Sequence, residues 1–395
     1  INPEHLIKFA SDPRQPVRDA ALRALSTLDA GQGIPTLLEA LNDERARVAI
    51  YALRNSLLSI PQSEALQLLR NASLEQVTVA KEVVRLIGDL LTDAAYRELL
   101  LLDSRELHRD VRIALLRAFW PYLDRSKTWE IFTKAAQSPD AALARGVIYI
   151  PADGMSPLVQ RRLAILLTNL LAHPEPEVRV DALKRCVQYP LTDYEHVLLT
   201  HLVKLMNSPA PGECALAAKA AFVTYRGNDA SLVGDAVRNM LDNRRALHIT
   251  IENFLLALNF DRRHLLPTTR AILTALSEDQ LTITLRIGII VLGLPWEEAT
   301  QELVKLTDSL HADALGRAQS AIQQAIRRPD ANLFSLEMTL ATSNDERLRR
   351  LAFAALIAQS KQVNGWSDER ITRLQAYRED TSPLVAEAAQ FTFVS

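Results

Sequence analysis

The stretch DPRQPVRDAALRAL at residues 12–25 decides the fold, because it joins a turn, a helix start and an apolar helical face. Asp12 and Pro13 are residue types that the start of a helix favours. Apolar residues then recur every three or four positions, at Val17, Ala21 and Leu25, which is the spacing of one helix face. The stretch therefore predicts a turn followed by an amphipathic helix.

Related stretches recur from one end of the chain to the other, about every 30 to 37 residues. They include DERARVAIYALRNSLL at 43–58, HRDVRIALLRAF at 108–119, PEPEVRVDALKRCV at 174–187, SNDERLRRLAFAAL at 343–356 and DTSPLVAEAAQF at 380–391. Their turns lie near Asp12, Asp43, Ser73, Ser104, Ser138, Pro174, Ser208, Asp242, Ser277, His311, Ser343 and Asp380. Self-similarity at this period is typical of an array of stacked supersecondary units.

The periodicity predicts about twelve antiparallel helix pairs, none of which buries its apolar face without its neighbours. Second helices are predicted at 15–28, 44–58, 74–91, 106–123, 139–149, 174–188, 211–225, 244–258, 278–292, 311–327, 345–360 and 382–393. First helices include 31–41, 61–71, 126–137, 192–206, 261–275 and 295–309. Alternation with a period of two is almost absent, so strands have little support.

One segment interrupts the period. Residues 146–157 read GVIYIPADGMSP, where a β-branched run leads into Pro151, Asp153-Gly154 and Pro157. We expect the preceding helix to be short and the connection to be irregular. The segment is either a tolerated surface loop or a hinge or contact loop, and the sequence predicts one continuous array over 1–395 around it.

The recurring helix opening resembles the HEAT-repeat family, in which an Asp is followed after four residues by Val-Arg at the turn between two helices. Asp12 with Val17-Arg18 fits this pattern fully. Asp43 and Asp380 fit, with Ala49 and Ala386 in place of the Arg, whereas Arg112 and Arg179 keep the Arg without the Asp. The resemblance covers nearly the whole chain and implies an all-α, right-handed α–α superhelix, that is, a HEAT-like solenoid.

The resemblance also implies that these charged residues form a structural ladder between neighbouring units. Its members here would be Asp12, Arg18, Asp43, Arg112, Arg179 and Asp380. The physical reading agrees, because an Asp at a helix entrance caps the helix and an Arg one turn later can reach the next turn.

Composition restricts the choice of partner. The formal net charge is −2, from 45 basic and 47 acidic residues, whereas nucleic-acid binding usually shows as a basic stripe. Cys186 and Cys214 form neither a disulfide framework nor a zinc pattern, so we expect a reducing, cytoplasmic location. No apolar run is long enough to span a membrane. The chain begins at Ile1 without an initiator Met, so we expect sequence upstream of it in the natural protein.

Motifs for catalysis are absent from the sequence. It contains no Gly-x-x-x-x-Gly-Lys-Ser/Thr loop and no Gly-x-Ser-x-Gly elbow. His196 and His201 are five residues apart, which places them on different faces of a helix and unsuited to chelating one metal. We therefore expect no enzymatic activity, no cofactor and no metal.

Two features could form a contact surface. One is the aromatic group at 119–132, where we expect Tyr122 and Trp129 to be exposed near the turn and Trp120 beside them; aromatic residues are favoured at binding hot spots, although the group could instead fill an interior space. The other is a set of Arg doublets near the starts of second helices, which could line an acidic-peptide groove or be neutralised by adjacent acids. The members singled out are Arg244, Arg245, Arg349 and Arg350.

The sequence thus predicts a non-catalytic scaffold or regulatory arm that binds a protein, or another domain of its own polypeptide, along the solenoid surface. The alternative is nucleic-acid binding, as in the HEAT-like alkylpurine DNA glycosylases, for which Trp120, Trp129 and Asp124 are the nearest parallel. A third class, an accessory lyase or chaperone, would need a deep pocket with convergent polar groups, and nothing in the sequence points to one.

Overall fold

The computed structural model describes residues 2–28, 31–151, 154–226, 230–276, 282–363 and 365–394, with the side chains of 230, 231 and 259–261 excepted. All regular structure within those ranges is helical. The α-helices are α1 Pro3–Phe9, α2 Gln15–Leu25, α3 Ile34–Glu39, α4 Ala46–Leu57, α5 Gln62–Arg70, α6 Val77–Asp89, α7 Asp93–Asp103, α8 Arg109–Ala118, α9 Ser126–Ala136, α10 Ala141–Arg145, α11 Pro157–Leu171, α12 Pro176–Gln188, α13 Glu195–Met206, α14 Pro211–Thr224, α15 Ala230–Asn239, α16 Arg244–Leu276, α17 Ile283–Gly293, α18 Trp296–Lys305, α19 Ala312–Gln324, α20 Leu333–Ala341, α21 Glu346–Gln362, α22 Asp368–Arg378 and α23 Pro383–Gln390.

The chain divides into two compact units, Ile1–Arg185 and Cys186–Ser395, and each is described by itself. In the first unit the second helices of successive pairs pack in a row, α2 on α4, α4 on α6, α6 on α8 and α8 on α10. First helices pack likewise, α5 on α7 and α9 on α11. Each pair therefore buries its apolar stripe against the pairs before and after it, as a repeat array requires.

The apolar stripe of α6 explains this packing. Val79, Val83 and Leu86 are buried at helical spacing, so one face of the helix meets α4 and α8. At the end of the stripe, Gly88 lets the two backbones approach closely, because a Cβ there would lie 2.8 Å from the carbonyl oxygen of Ala118. A larger residue at this position would push α6 and α8 apart.

The second unit repeats the arrangement. There α17 packs on α19, α19 on α21, and α21 on α23. Its core also contains charged groups that bind neighbouring helices. Arg328, which is 3% exposed, donates to the carbonyl oxygen of Leu294 at 2.9 Å and lies 5.0 Å from the ring centre of Trp296. The buried carboxylate of Glu337 accepts hydrogen bonds from Arg373 Nε at 3.0 Å and Gln359 Nε2 at 2.7 Å.

Two predicted boundaries are wrong. The helices expected at 244–258 and 261–275 form one continuous helix, α16, with Pro267 inside it. The stretch LNFDRRH at 258–264 contains no Gly, Pro or Ser, so nothing in it terminates the helix locally. The helix expected at 139–149 is α10, which covers only Ala141–Arg145.

The irregular segment expected at 146–157 contains a turn after α10 and Gly154 in a left-handed conformation, with φ of 69°. Its Ala152 and Asp153, like the predicted turn at Ser277, lie outside the described residues. The segment remains a candidate hinge or contact loop, as the sequence suggested.

A candidate binding groove between repeats

Arg18, Arg179 and Arg349 occupy the same position in three repeats and share one local geometry. Each donates from Nη1 to two carbonyl oxygens of the turn that precedes its own helix. The acceptors are Asp12 at 3.1 Å and Pro13 at 3.4 Å, His173 at 2.9 Å and Pro174 at 2.6 Å, and Ser343 at 3.1 Å and Asn344 at 3.0 Å. The arginine thus binds carbonyl groups of the turn, which lie outside the hydrogen-bond pattern of the two flanking helices. This explains why an arginine recurs at this position.

Arg349 and Arg18 also reach the following repeat. Arg349 forms two hydrogen bonds with the Asp380 carboxylate, at 2.8 and 2.9 Å, and this contact holds the pKa of Asp380 below its usual value. Arg18 pairs at 2.7 Å with Glu44, and not with Asp43 as the family pattern implies. A guanidinium that binds a turn and the next turn's carboxylate therefore joins two repeats.

The aspartates at Asp12 and Asp43 have a different role from the one implied for a ladder. Asp12 accepts hydrogen bonds from the backbone N and the Nε of Arg14, at 2.8 and 3.0 Å. Asp43 accepts the same two bonds from Arg45, at 2.8 and 2.9 Å. These contacts lower the pKa of both carboxyl groups. This motif was not among the predicted features, although its signal, Asp-x-Arg at 12–14, 43–45 and 345–347, is visible in the sequence.

Arg112 departs from this scheme. It is partly buried near the start of α8, and no hydrogen bond or ion pair joins its guanidinium to another residue in the described ranges. The acidic residue of the following turn, Asp140, accepts a hydrogen bond from Ala142 N at 2.9 Å and forms no ion pair with Arg112. A structural ladder role for Arg112 is therefore wrong.

The Arg112 side chain lines a cavity of about 420 Å³ between α8, α9 and α10, here called the α8–α9 groove. Its apolar lining includes Leu115 and Leu116 of α8, Ile131 of α9 and Leu143 of α10. Its charged lining consists of Arg112, Lys134 and Asp103. The groove thus combines an apolar floor with two cations and one carboxylate.

The charged residues of the groove are not neutralised by one another. Within the described part of the chain, neither Lys134 nor Asp103 forms an ion pair or hydrogen bond through its side chain. Lys134 also lines a second depression on the other side of α9, together with Trp129 and Arg162. The exposed face of α9 therefore lies between two depressions that share one cation.

The expectation that Tyr122 and Trp129 are exposed is wrong, since each residue is only 6% exposed. Trp129 folds back on its own turn, where its Nε1 donates to the carbonyl oxygen of Leu123 at 2.8 Å. The Tyr122 ring centre lies 5.0 Å from that of Tyr96 on α7. Trp120 is partly exposed, with its Nε1 buried and without a hydrogen-bond partner among the described residues.

The two arginine doublets differ from each other. Arg244 and Arg245 are exposed at the start of α16. Arg349 is engaged by Asp380, as described above, and the Arg350 guanidinium lies 5.2 Å from the ring centre of Phe353, where burial lowers its pKa. Arg349 is thus neutralised by an acid, which is one of the two alternatives that the sequence left open, and Arg350 packs on an aromatic ring. A contribution of this doublet to a groove stays a prediction.

The described residues support neither the DNA-glycosylase parallel nor a metal site. Asp124, the acid of the DNA-glycosylase parallel, pairs with Arg125 at 3.2 Å, while its proposed aromatic partner Trp129 is buried. Over the ranges that the structure describes, no three His, Cys, Asp or Glu side chains are grouped closely enough to hold a metal ion. In the same ranges, none of the helices combines the length and the apolar character needed to cross a membrane.

Comparison with solved structures identifies the fold. The chain is similar to Kap95p in a structure in which Kap95p binding induces the switch loops of RanGDP to adopt the GTP-bound conformation, with 12% identity and a TM-score of 0.53. This match covers 98% of the present chain and 60% of that chain. Kap121p bound to Pho4p matches with 13% identity and a TM-score of 0.48, over 98% of this chain and 47% of that one.

The present chain thus spans about 60% of the length of Kap95p and about half that of Kap121p. No family model matches it, and no curated protein matches it. Identities this low establish the architecture alone. The structural match to Kap95p and the stacked helix pairs together confirm the predicted HEAT-like helical solenoid fold.

Proposed function

We propose that this chain is a non-catalytic scaffold that binds a protein segment on the surface of its helical repeats. The observation that carries the proposal is the α8–α9 groove, whose apolar floor and unpaired Arg112 and Lys134 offer both burial and charge to a polypeptide. Specific recognition sites usually combine an apolar interior with a few placed polar groups. The fold supports the same reading, because a repeat array presents an extended surface.

The polar chemistry of the described repeats also supports a scaffold. The buried Arg328 and Glu337 contact neighbouring helices, and the partly buried Arg373 binds Glu337, so their role is to hold repeats together. Kap95p, one of the proteins of similar structure, binds the protein RanGDP. We propose that the partner of this chain is likewise a protein. The proposal includes a cytoplasmic location, since Cys186 and Cys214 are buried and form no disulfide.

The test is to identify what the full chain binds and to reconstitute the binding. Material captured by the tagged chain would be identified by mass spectrometry, and each candidate would be purified and titrated by calorimetry. We expect at least one protein to bind saturably with a fixed stoichiometry. The proposal fails if no purified protein binds and the captured material is nucleic acid whose affinity falls steeply with salt.

A further inference from the structure

We propose that the α8–α9 groove binds a short acidic segment of a partner protein, and that a carboxylate of this segment occupies the ligand position left open at Arg112. This inference rests on the proposed scaffold function and specifies its site and the chemistry of the bound segment. It follows from a comparison of equivalent arginines, from the charges that face the groove and from the groove's size.

The equivalent arginines define what Arg112 lacks. Arg349 binds two turn carbonyls and the Asp380 carboxylate, and Arg18 binds two turn carbonyls and the Glu44 carboxylate. A carboxylate is thus the anion that this position accepts in two other repeats of the same chain. Arg112 makes neither the carbonyl nor the carboxylate contacts within the described residues, and its guanidinium has a fork of donors that matches a carboxylate. Its donors are therefore available for a carboxylate supplied by another molecule.

The charges that face the groove set the sign of the ligand. Arg112 and Lys134 contribute two positive charges and Asp103 one negative charge, so the groove is positive by one charge. Coulomb attraction therefore favours a single carboxylate over a neutral or cationic group. Asp103 disfavours a second carboxylate at its end of the groove, which limits the number of acidic side chains that enter.

The apolar floor and the volume of the α8–α9 groove favour an acidic polypeptide over other anions. Leu115, Leu116 and Ile131 provide apolar surface that a phosphate backbone cannot cover but an aliphatic or aromatic side chain can. A volume of about 420 Å³ falls in the range of small ligand sites, and it accommodates a few side chains. The bound segment therefore carries an acidic residue beside one or two apolar residues.

The experiment selects random dodecapeptides displayed on phage against the full chain, without prior choice of a partner. Enriched peptides are synthesised with acetylated and amidated ends, and their affinities are measured by fluorescence polarisation against the wild type and three variants. Arg112→Gln removes the cation, Asp103→Asn removes the acid, and Arg117→Gln changes an exposed arginine on the same helix outside the groove. Thermal melts verify that every variant is folded.

We expect enriched peptides to share an acidic residue next to apolar ones. Their affinity should fall about tenfold to a hundredfold in Arg112→Gln, as expected for a charge-assisted hydrogen bond. It should rise in Asp103→Asn, stay unchanged in Arg117→Gln, and fall when the acidic residue of the peptide is replaced by its amide. This set of results supports the proposal.

Other outcomes overturn it in distinguishable ways. Enriched peptides that lack acids, or that bind Arg112→Gln as well as wild type, refute the groove and leave the scaffold function standing. If no peptide is enriched while succinate or a labelled single-stranded 20-mer DNA binds with dependence on Arg112, the occupant is a small acid or a nucleic acid. If neither peptides nor any purified protein binds, the scaffold function fails as well.

Discussion

The turns before α21 and before α8 carry the same motif and use it differently. Before α21, Arg349 is bound by two carbonyls of its own turn and by Asp380 of the next. Before α8, Arg112 has no such partner in the described ranges and faces an open groove. We call these the closed turn (343–349) and the open turn (104–112). A repeat can thus keep a residue for stacking in one copy and expose it for binding in another.

The largest effect should come from the apolar residue of the motif, which is buried in both turns. Val111 is 2% exposed and Leu348 is 5% exposed, so Val111→Asp and Leu348→Asp each bury a charge between repeats. We expect a loss of more than about 4 kcal/mol in local stability in either case. Hydrogen exchange of the surrounding helices, followed by mass spectrometry, measures it. Unequal losses would mean that the turns differ in packing as well as in the arginine.

The next largest effect should be a loss of stability that occurs in the closed turn and not in the open turn when the arginine is replaced. Arg349→Gln leaves the partly buried Asp380 without its main partner and should cost about 2–3 kcal/mol. Arg112→Gln removes no contact and should change stability by less than about 0.5 kcal/mol. Hydrogen exchange of the helix that follows each turn compares the two variants directly. Equal losses would show that Arg112 has a structural partner after all.

Low pH should remove the stabilisation that the Arg349–Asp380 contact gives to the closed turn. The hydrogen bonds from Arg349 hold the pKa of Asp380 below its usual value, so the stabilisation is fully present above the unfolded value of about 3.9 and is lost as the pH falls through the folded value. The difference in melting temperature between wild type and Arg349→Gln should therefore shrink below about pH 4. A difference that is the same at pH 7 and pH 3 would contradict an ionic origin.

Among the variants that break an ion pair, the smallest effect should come from Glu44→Gln. Glu44 pairs with Arg18, but its side chain is 77% exposed, and exposed ion pairs contribute about 0–1 kcal/mol. We expect a change at the low end of that range, measured by hydrogen exchange of α2 and α4. A loss as large as that of Arg349→Gln would show that exposure does not distinguish the two arginine contacts.

The sequence predicts features that are set by local interactions. Turns at Asp12 and Asp43 were predicted because an Asp before a helix satisfies backbone N–H groups whatever the surrounding fold. The helical array followed from the spacing of residues such as Val17 and Leu25, which reports the face that must be buried.

The errors arise where a side-chain conformation or the packing of neighbouring helices decides. Trp129 lies next to a turn, yet it is buried because it folds back on Leu123 and packs against Phe132, and periodicity does not encode that rotamer. The sequence predicts the position of Arg112, but whether a carboxylate reaches it depends on where the next helix places its acid. Asp380 accepts from Ser382 N and still binds Arg349, whereas Asp140 accepts from Ala142 N and does not bind Arg112. The candidate groove is therefore visible only once the side chains of three helices are placed together.

The continuous helix α16 limits how this array could be lengthened or shortened. It packs against α14 and α15 and also against α17, so one rod of about 50 Å serves successive layers. At described connections such as that between α20 and α21, a short turn separates the helices, and a duplication or deletion of one hairpin leaves its neighbours whole. Within 244–276 the same recombination would cut a helix in two. The modules of this chain are thus not interchangeable at every joint, and transplanted repeats should be exchanged at boundaries outside this helix.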